Sequence, residues 1–472
     1  MREGKFGLSF EQPAIGASSR GSLSYADILR AEGQGVPAMM QEGNYTPKPS
    51  RIPYKRYIEP RYVDLERDHL WRKHWQVACR EEDLPNVGDR LPYDVGDLSF
   101  LLIRSAPDTI RAFYNSCPHR SRMLCTGPEA GEHIRCPFHG WTWALDGKLV
   151  WVVSNEDFVQ ATRQSHSLIE VKVARWGGNV FINPAPNAPP LEAALGPMVE
   201  MFADFPLDER YTVLHIRKRI RANWKAVQEA FMEAYHTLQT HWDAMPFFGS
   251  TSTQYDVWDD GASHLSRLVT PSAMPDKWVE DRISPRTGLI SYCTAFQVPM
   301  PPPGRGETLA DARAYVAETR RKIIEDACGT DLSGTPNAMY LDMTKAYVFP
   351  NHHPWWGEAI PWWYRFTPIG RDPDQSLMEL RVTQRVPKNG PRPKTATPID
   401  IDFDERVSDY EDQVGSLGYI VDQDVENLVA IQRGFKAAAP DRAYLTLGSY
   451  QENAIQHFHD VYAKALGLSE GE

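Results

Sequence analysis

Two short stretches constrain this chain more tightly than anything else in it: "NSCPHRSRMLC" at residues 115–125 and "IRCPFHGWTW" at residues 134–143. Each carries a cysteine, a proline and a histidine close together, as Cys117-Pro118-His119 and Cys136-Pro137-Phe138-His139. Proline fixes φ, and the glycine at 140 admits backbone that other residues resist, so both stretches suit tight loops. Short alternating runs surround them, including "SFLLIRS", "TIRAFYN", "KLVWVV" and "GNVFIN", with turn signals such as "DGK" and "WGGN" between. Period-two alternation with Gly/Asn/Asp breaks predicts an antiparallel β unit from Asp83 to Asn183. Such a unit could present the two stretches as matching hairpin loops.

The donor types then restrict the chemistry. Structural zinc sites commonly place two cysteines on one hook and two histidines on the other, whereas here each hook carries one of each. A binuclear [2Fe–2S] cluster of the Rieske type uses that mixture, with two thiolates on one iron and two imidazoles on the other. Cys117 and His119 with Cys136 and His139 are the expected ligands; a mixed zinc site, or buried thiols with surface histidines, is the competing reading. Trp141 and Trp143 are placed to shield one side from water, and Cys125 and His133 are read as structural.

Six cysteines in 472 residues do not make a disulfide framework. A net charge of −11 argues against a nucleic-acid or anionic-membrane binder. There is no apolar run long enough to span a bilayer and no secretory signal in "MREGKFGLSFEQPAIGASS", so a cytoplasmic location is expected. The length allows two or three domains. Residues 1–50, rich in Gly, Ser and Pro with one helical candidate ("SYADILRAEG"), are expected to be an arm that wraps over a neighbour or is mobile. "YVDLERDHLWRKHWQVAC" has helical spacing, and "NPAPNAPP" at residues 183–190 reads as a stiff linker. The expected division is 51–190 and 191–472.

Beyond the linker, strands ("TVLHIRKRIRANW", "AYVFPN", "WWYRFTPIG", "LMELRVTQRV") mix with helices ("TLADARAYVAETRRKIIEDA", "DQDVENLVAIQRGFKAA") in an α+β order. "WKAVQEAFMEAYHTLQTH" carries His236 and His241 on what reads as a helix. Five residues advance about 500°, leaving the two imidazoles roughly 140° apart on a straight helix, so the helix must kink or end between them. The "TLQT" segment with its two β-branched threonines is the expected break. Two histidines and one carboxylate form the facial set of a non-haem Fe(II) oxygenase. Asp424, expected at the mouth of the late helix, is the chosen carboxylate, with Asp422 and Glu426 as rivals.

From about Tyr54 to about Phe435 the chain resembles the catalytic α subunit of a Rieske non-haem iron oxygenase, on "CPHR…CPFHGW", "NWKAVQEAFMEAYHTLQTH", "YVFPN" and "DQDVENL…QRG". The resemblance implies an N-terminal Rieske antiparallel β domain and a C-terminal helix-grip catalytic domain, an antiparallel sheet flanked by helices. It implies a Rieske [2Fe–2S] cluster on Cys117, His119, Cys136 and His139, and a mononuclear Fe(II) on His236, His241 and Asp424, with O₂ as co-substrate. It also implies a homotrimer in which Glu233 bridges the iron of one subunit and the cluster of the next, an NAD(P)H-dependent reductase that acts directly or through a ferredoxin, and in some members a small β subunit. The resemblance departs from many ring dihydroxylases at Glu233, where they carry Asp, and at Ala230, where they carry Asn. The expected activity is hydroxylation, single or cis-double, of an aromatic or polycyclic hydrophobic substrate. The alternative is a demethylating or quaternary-amine-oxidising monooxygenase. Trp242, Met245, Phe247, Phe248, Phe349 and Asn351 are the pocket candidates; His352 and His353 are read as structural and, being adjacent on a strand, as pointing apart.

Overall fold

In the first half, period-two alternation becomes a six-stranded antiparallel sheet in the order β1-β9-β8-β4-β3-β2. The strands are β1 (Gln76–Arg80), β2 (Arg90–Val95), β3 (Leu98–Ala106), β4 (Thr109–Tyr114), β8 (Glu170–Trp176) and β9 (Asn179–Asn183). Between β4 and β8 the chain builds a small three-stranded sheet from β5 (Ile134–Arg135), β6 (Thr142–Trp143) and β7 (Leu149–Trp151). Leu101, Ile103 and Phe113 of the larger sheet share one core with Leu124, Ile134, Trp143 and Leu149, so the loops carrying the hooks rest on a packed floor. The coordinates come from a computed structural model and describe residues 24–33, 35–45, 51–259, 264–469 and 472.

The second half is organised on an eight-stranded sheet, β11-β12-β13-β14-β15-β16-β10-β17. Its members are β10 (Arg210–Ile220), β11 (Gln254–Asp259), β12 (His264–Thr270), β13 (Met343–Val348), β14 (His352–Trp356), β15 (Trp362–Pro368), β16 (Ser376–Arg385) and β17 (Ile399–Ile401). Neighbours pair antiparallel except β17, which runs parallel to β10. Alternation sends Trp355, Tyr364, Phe366 and Leu380 to one face, where Val421 and Leu428 of the helix Leu417–Ala437 cover them. Ala346, Val348, Trp356 and Trp363 face the other way, packed with Leu289 of the helix Pro285–Ala295 and Val316 of the helix Leu309–Cys328. This two-faced burial explains why these strands read as nearly continuous apolar runs.

The two halves share a core. Tyr62, Leu70 and Trp71 meet Phe100, Leu102 and Ile182 of the first sheet, and Phe458 and Tyr462 of the last helix, Asn453–Leu466, complete the cluster. Charge ties the halves as well. Arg381 on β16 holds Asp83 through two bonds of 2.9 and 2.8 Å. Within the second sheet, Glu379 of β16 lies 2.8 Å from His215 Nε2 of β10 and 3.0 Å from Arg381. Burial pushes the Glu379 carboxyl up, but Arg365 and Arg381 outweigh it and hold it well below the usual range.

Two local expectations change. The described residues of the N-terminal arm fold onto their own chain: the helix Tyr25–Ala31 is capped by Ser24, the Tyr25 hydroxyl donates to Asp342 (2.6 Å), and Asn44 donates to the Val257 carbonyl. Residues 1–23, 34 and 46–50 lie outside the described residues. The helical reading of residues 62–79 holds only to Trp71, as Pro60–Leu65 and a π-type turn over Glu66–Trp71; Gln76–Arg80 is strand β1. All five residues of β1 are buried because it is sandwiched at the junction of the halves, and a two-sided environment erases the alternation that marks a strand.

Candidate metal centres

The two hooks adopt the same backbone geometry. Cys117 donates its N–H to Arg122 (2.9 Å) and accepts from Ser121 (2.8 Å); Cys136 donates to Trp141 (2.8 Å) and accepts from Gly140 (3.0 Å). In each case the partners are four and five residues on. The fourth residue is left-handed in both loops, with φ of 58° at Ser121 and 73° at Gly140. Glycine takes that conformation freely, whereas serine does so at a cost, so one loop is strained where the other is not. Both cysteines are buried, and the rings of His119 and His139 lie 4.8 Å apart at the open end. The Trp141 ring stacks flat on His119 at 4.9 Å and 3°. Trp143 is buried beneath and donates to the His166 carbonyl. Burial and the neighbouring His139 depress the His119 imidazole, favouring its neutral form. Burial, with the nearby Cys136, raises the Cys117 thiol. Cys125 bonds to Gly127 O at 3.0 Å, away from the loop ends, and His133 is exposed.

The donor set fits a binuclear cluster better than a single ion. Among the described residues, the group of three or more Cys, His, Asp or Glu donors that comes within the reach of one ion is His236, His241 and Asp424, not the hook residues. Two pairs that each converge on their own side, with sulfur and nitrogen apart, match two irons bridged by sulfide.

The second constellation forms where a helix stops. Asn223 caps the helix Trp224–Glu229, its side chain accepting from Lys225 N at 3.1 Å. The chain then leaves helical geometry over residues 230–236 and resumes for one turn, Thr237–Thr240. The expected break at "TLQT" is therefore displaced: those four residues are the helical turn, and the irregular stretch precedes them. Glu233 explains the shift. Its Oε2 accepts the His236 backbone N–H (2.9 Å), and Oε1 meets His236 Nδ1 at 2.6 Å, so a side chain takes over what a helical carbonyl would supply. The break brings the His236 and His241 rings to 5.4 Å.

Asp424 completes the group from inside the helix Leu417–Ala437, two turns from its start rather than at its mouth. Its Oδ1 lies 2.9 Å from His241 Nε2 and 3.8 Å from His236 Nε2, and donor atoms of all three residues fall within 4.8 Å of one another. The rivals have other positions. Asp422 is buried but accepts from the backbone of Val407 (2.8 Å) and Ser408 (3.1 Å), while Glu426 is exposed. The remaining ring nitrogens are also engaged, His236 Nδ1 by Glu233 and His241 Nδ1 by Gln423 Oε1 at 2.9 Å. That leaves both Nε2 atoms pointing at Asp424, the tautomer and orientation a metal requires. Burial opposes charge on His236, yet Glu233 and Asp424 raise its affinity for a proton.

A cavity of about 480 Å³ opens beside Glu233, His236 and Asp424, and Tyr54, Phe435, Glu229 and Glu452 also line it. Burial pushes Glu229 up to about 8, with the Tyr57 hydroxyl bonded to both its oxygens at 2.9 and 3.0 Å. None of the six pocket candidates lines this cavity. Trp242 follows His241 in a 3₁₀ turn; Met245 and Phe247 are buried, and Phe247 and Phe248 meet Phe296 edge-on. Phe349 and Asn351 lie at the junction of the halves, Phe349 against His74 and Phe458, Asn351 bonded to Val77 N and Tyr93. His352 and His353 do point apart, His352 toward Phe181 and Trp363, His353 toward Tyr347 and Phe366.

Sequence reasoning missed Gln423 and Lys345. Gln423 stands beside the chosen aspartate on an exposed polar stretch with Glu426 and Asn427, so its spacing carried no signal. Lys345 is a charged residue inside "TKAYVF", a run that otherwise reads as a buried strand. Burial lowers its ammonium to about 7, against support from Glu233 and Asp424.

Residues 74–163 match the family described as Rieske [2Fe-2S] domain, and residues 204–468 match that described as ring hydroxylating alpha subunit (catalytic domain). The carnitine monooxygenase oxygenase subunit of Escherichia coli (strain K12) is 31% identical over 198 residues, 40% of this chain and 52% of that protein. The chain thus spans about half the length of the curated relatives it matches. Its fold is similar to that of a quaternary ammonium Rieske monooxygenase whose structure addresses carnitine oxidation and inter-subunit electron transfer, with a TM-score of 0.60 at 18% identity, covering 88% of this chain and 95% of that one. Naphthalene 1,2-dioxygenase with indole bound gives a TM-score of 0.61 at 15% identity, over 89% of this chain and 93% of that one. At those identities the structural likeness is one of fold. Since the catalytic-domain match alone takes in more than half of the residues, the chain belongs to the ring-hydroxylating alpha subunit family, with a Rieske [2Fe-2S] domain ahead of its catalytic domain.

Proposed function

We propose that this chain is the terminal oxygenase of a Rieske system, hydroxylating an aromatic or polycyclic hydrophobic substrate with O₂ and externally supplied electrons. The observation that carries the reading is the convergence of His236, His241 and Asp424 within 4.8 Å, each histidine oriented by a second partner, in a chain that also holds two Cys/His loops with the same backbone hydrogen-bond pattern. Cys117, His119, Cys136 and His139 would hold the cluster, and His236, His241 and Asp424 the iron. When bound, the cluster stores one electron at a time and the ferrous ion activates dioxygen. The residues do the rest. Glu233 fixes the proton of His236 on Nδ1, leaving Nε2 free for the metal. Gln423 does the same for His241.

Glu233 also borders the open cavity, a position suited to meeting His139 of a neighbouring copy in a homotrimer. His139 and the exposed Phe138 stand at the tip of the hook sheet, where such a contact would form. Electrons would come from an NAD(P)H-dependent reductase, with or without a ferredoxin; a small β subunit is compatible with this assembly. Among the described residues no helix is long and apolar enough to cross a membrane.

A second reading, oxidation of a quaternary amine or demethylation by a monooxygenase, is supported by the carnitine-oxidising relative and by glutamate rather than aspartate at 233. Product analysis with ¹⁸O₂ separates the two. Two labelled oxygens on vicinal carbons support ring dihydroxylation; one label, or released formaldehyde or trimethylamine, supports the second. A protein that consumes no O₂ with reductase and either substrate class would refute both.

A further inference from the structure

Among the described residues three lysines are buried, and one differs from the other two. Lys225 is fully buried and its ammonium is paired with Glu66; Lys218 is 1% exposed and donates to the Asp402 and Glu405 carbonyls, both at 2.6 Å. Buried charges are ordinarily paired in this way. Lys345 is 5% exposed, and among the described residues its ammonium meets no hydrogen-bond acceptor. Its neighbours are two rings, Phe231 with its centroid 5.3 Å away and Trp355 at 5.6 Å. Cation–π contact offsets only part of the cost of desolvating an ammonium.

The placement makes this lysine informative. Lys345 on β13 stands opposite Trp355 on β14, and His353 and Trp355 share a strand face, as do Tyr364 and Phe366 on β15. This is the face that the helix Leu417–Ala437 covers, and that helix carries Asp424. Lys345 therefore lies on the sheet floor that this helix covers, beneath the element that carries Asp424. Neither Glu233 nor Asp424 bonds to it: both oxygens of Glu233 are taken by His236, and Asp424 Oδ1 faces His241. Beside it, both ring nitrogens of the fully buried His353 are also without a partner. Nine in ten or more buried polar groups find one. A cation and an imidazole left unmatched next to each other, walled by aromatic rings and under a metal site, are the complement of an anionic ligand with an apolar body.

We propose that Lys345 is the anion anchor for the substrate beneath the iron site. The substrate carries a carboxylate that accepts from Lys345 and from His353, while its body lies against Phe231, Trp355 and Tyr364. The assignment rests on the oxygenase reading for its location and deepens it by naming a substrate class. Its test needs no turnover.

Equilibrium dialysis of radiolabelled benzoate, γ-butyrobetaine and benzamide against the full-length, metal-loaded protein, without reductase, measures binding alone. At least one carboxylate binds tenfold or more tighter than benzamide to the wild type, and Lys345→Met weakens that carboxylate about 10- to 100-fold, the loss of a hydrogen bond to a charged group, while benzamide is unchanged. Lys345→Arg retains part of the preference. Methionine keeps the stem and removes an unpaired charge, so K345M melts at or above the wild-type temperature. Carboxylates that bind no better than benzamide, a preference that survives K345M, or a K345M protein that melts well below the wild type would each overturn the anchor. Failure of the oxygenase reading would show separately, as absent O₂ consumption with intact carboxylate binding. Which of the two carboxylates binds decides between an aromatic and a trimethylammonium body.

Discussion

Replacing Glu233 by glutamine asks whether one carboxylate both breaks the helix and prepares the iron site. Glutamate uses both oxygens on His236, one for the backbone N–H at 2.9 Å and one for Nδ1 at 2.6 Å. Glutamine offers a single acceptor. Whichever bond it keeps, its NH₂ group faces the other donor, so one bond is lost and the surviving one is no longer charge-assisted. A hydrogen bond to a charged group contributes about 1.5–3 kcal/mol. Partners that orient a metal-bound histidine through its far nitrogen change metal affinity or activity by about 10- to 100-fold. E233Q should therefore hold ferrous ion one to two orders of magnitude more weakly in competition with a chelator, while the visible spectrum of the cluster stays as in the wild type. Cluster reoxidation, followed by stopped-flow absorbance after chemical reduction and mixing with O₂ and substrate, should slow even with iron saturating. Glu233→Asp keeps the charge but is one methylene short, so it should fall between. Wild-type iron affinity together with wild-type reoxidation in E233Q would refute both the orienting and the bridging role.

Asp424→Ala should lose mononuclear iron by metal analysis and abolish O₂ incorporation, while acid-labile sulfide and cluster absorbance remain; Asp422→Ala should instead lower the melting temperature, because its carboxylate holds the backbone of Val407 and Ser408. The two hook loops respond in opposite senses. Gly140→Ala places a Cβ at φ +73° and 3.2 Å from Arg135 Nη2, costing about 1–2 kcal/mol and bleaching the cluster at a lower temperature, whereas Ser121→Gly at φ 58° should stabilise its loop. Glu229 is buried and its carboxyl lies at about 8, above its unfolded value, so the folded state holds the extra proton between the two. Stability from this group therefore falls as pH rises from about 4.5 toward 8. Glu229→Gln should flatten that slope, raising the melting temperature most at pH 8 and least near pH 4, as calorimetry across the range would show.

The hooks were legible because every constraint in them is local. Cysteine, proline and histidine sit within four residues of one another, and a tight loop converts that spacing directly into geometry. The β unit around them was legible for the same reason, since burial alternates locally along its strands, as over residues 93–95 of β2 and 109–112 of β4. The helical strain between His236 and His241 also followed from residue arithmetic, but its location did not: Glu233 moves the irregular stretch ahead of Thr237, and only a bond to the His236 backbone reveals it. Asp422 and Asp424 are indistinguishable as letters, two apart on one helix and both buried. Successive helix positions turn about 100°, so they face different neighbours, and the packing of that helix on the sheet sends one to a backbone turn and the other to the histidines. Lys345 lay hidden in an apolar run because nothing local marks a cation that awaits a partner from outside the chain; its meaning appears only when the sheet floor, the helix above it and the absence of an acceptor are seen together.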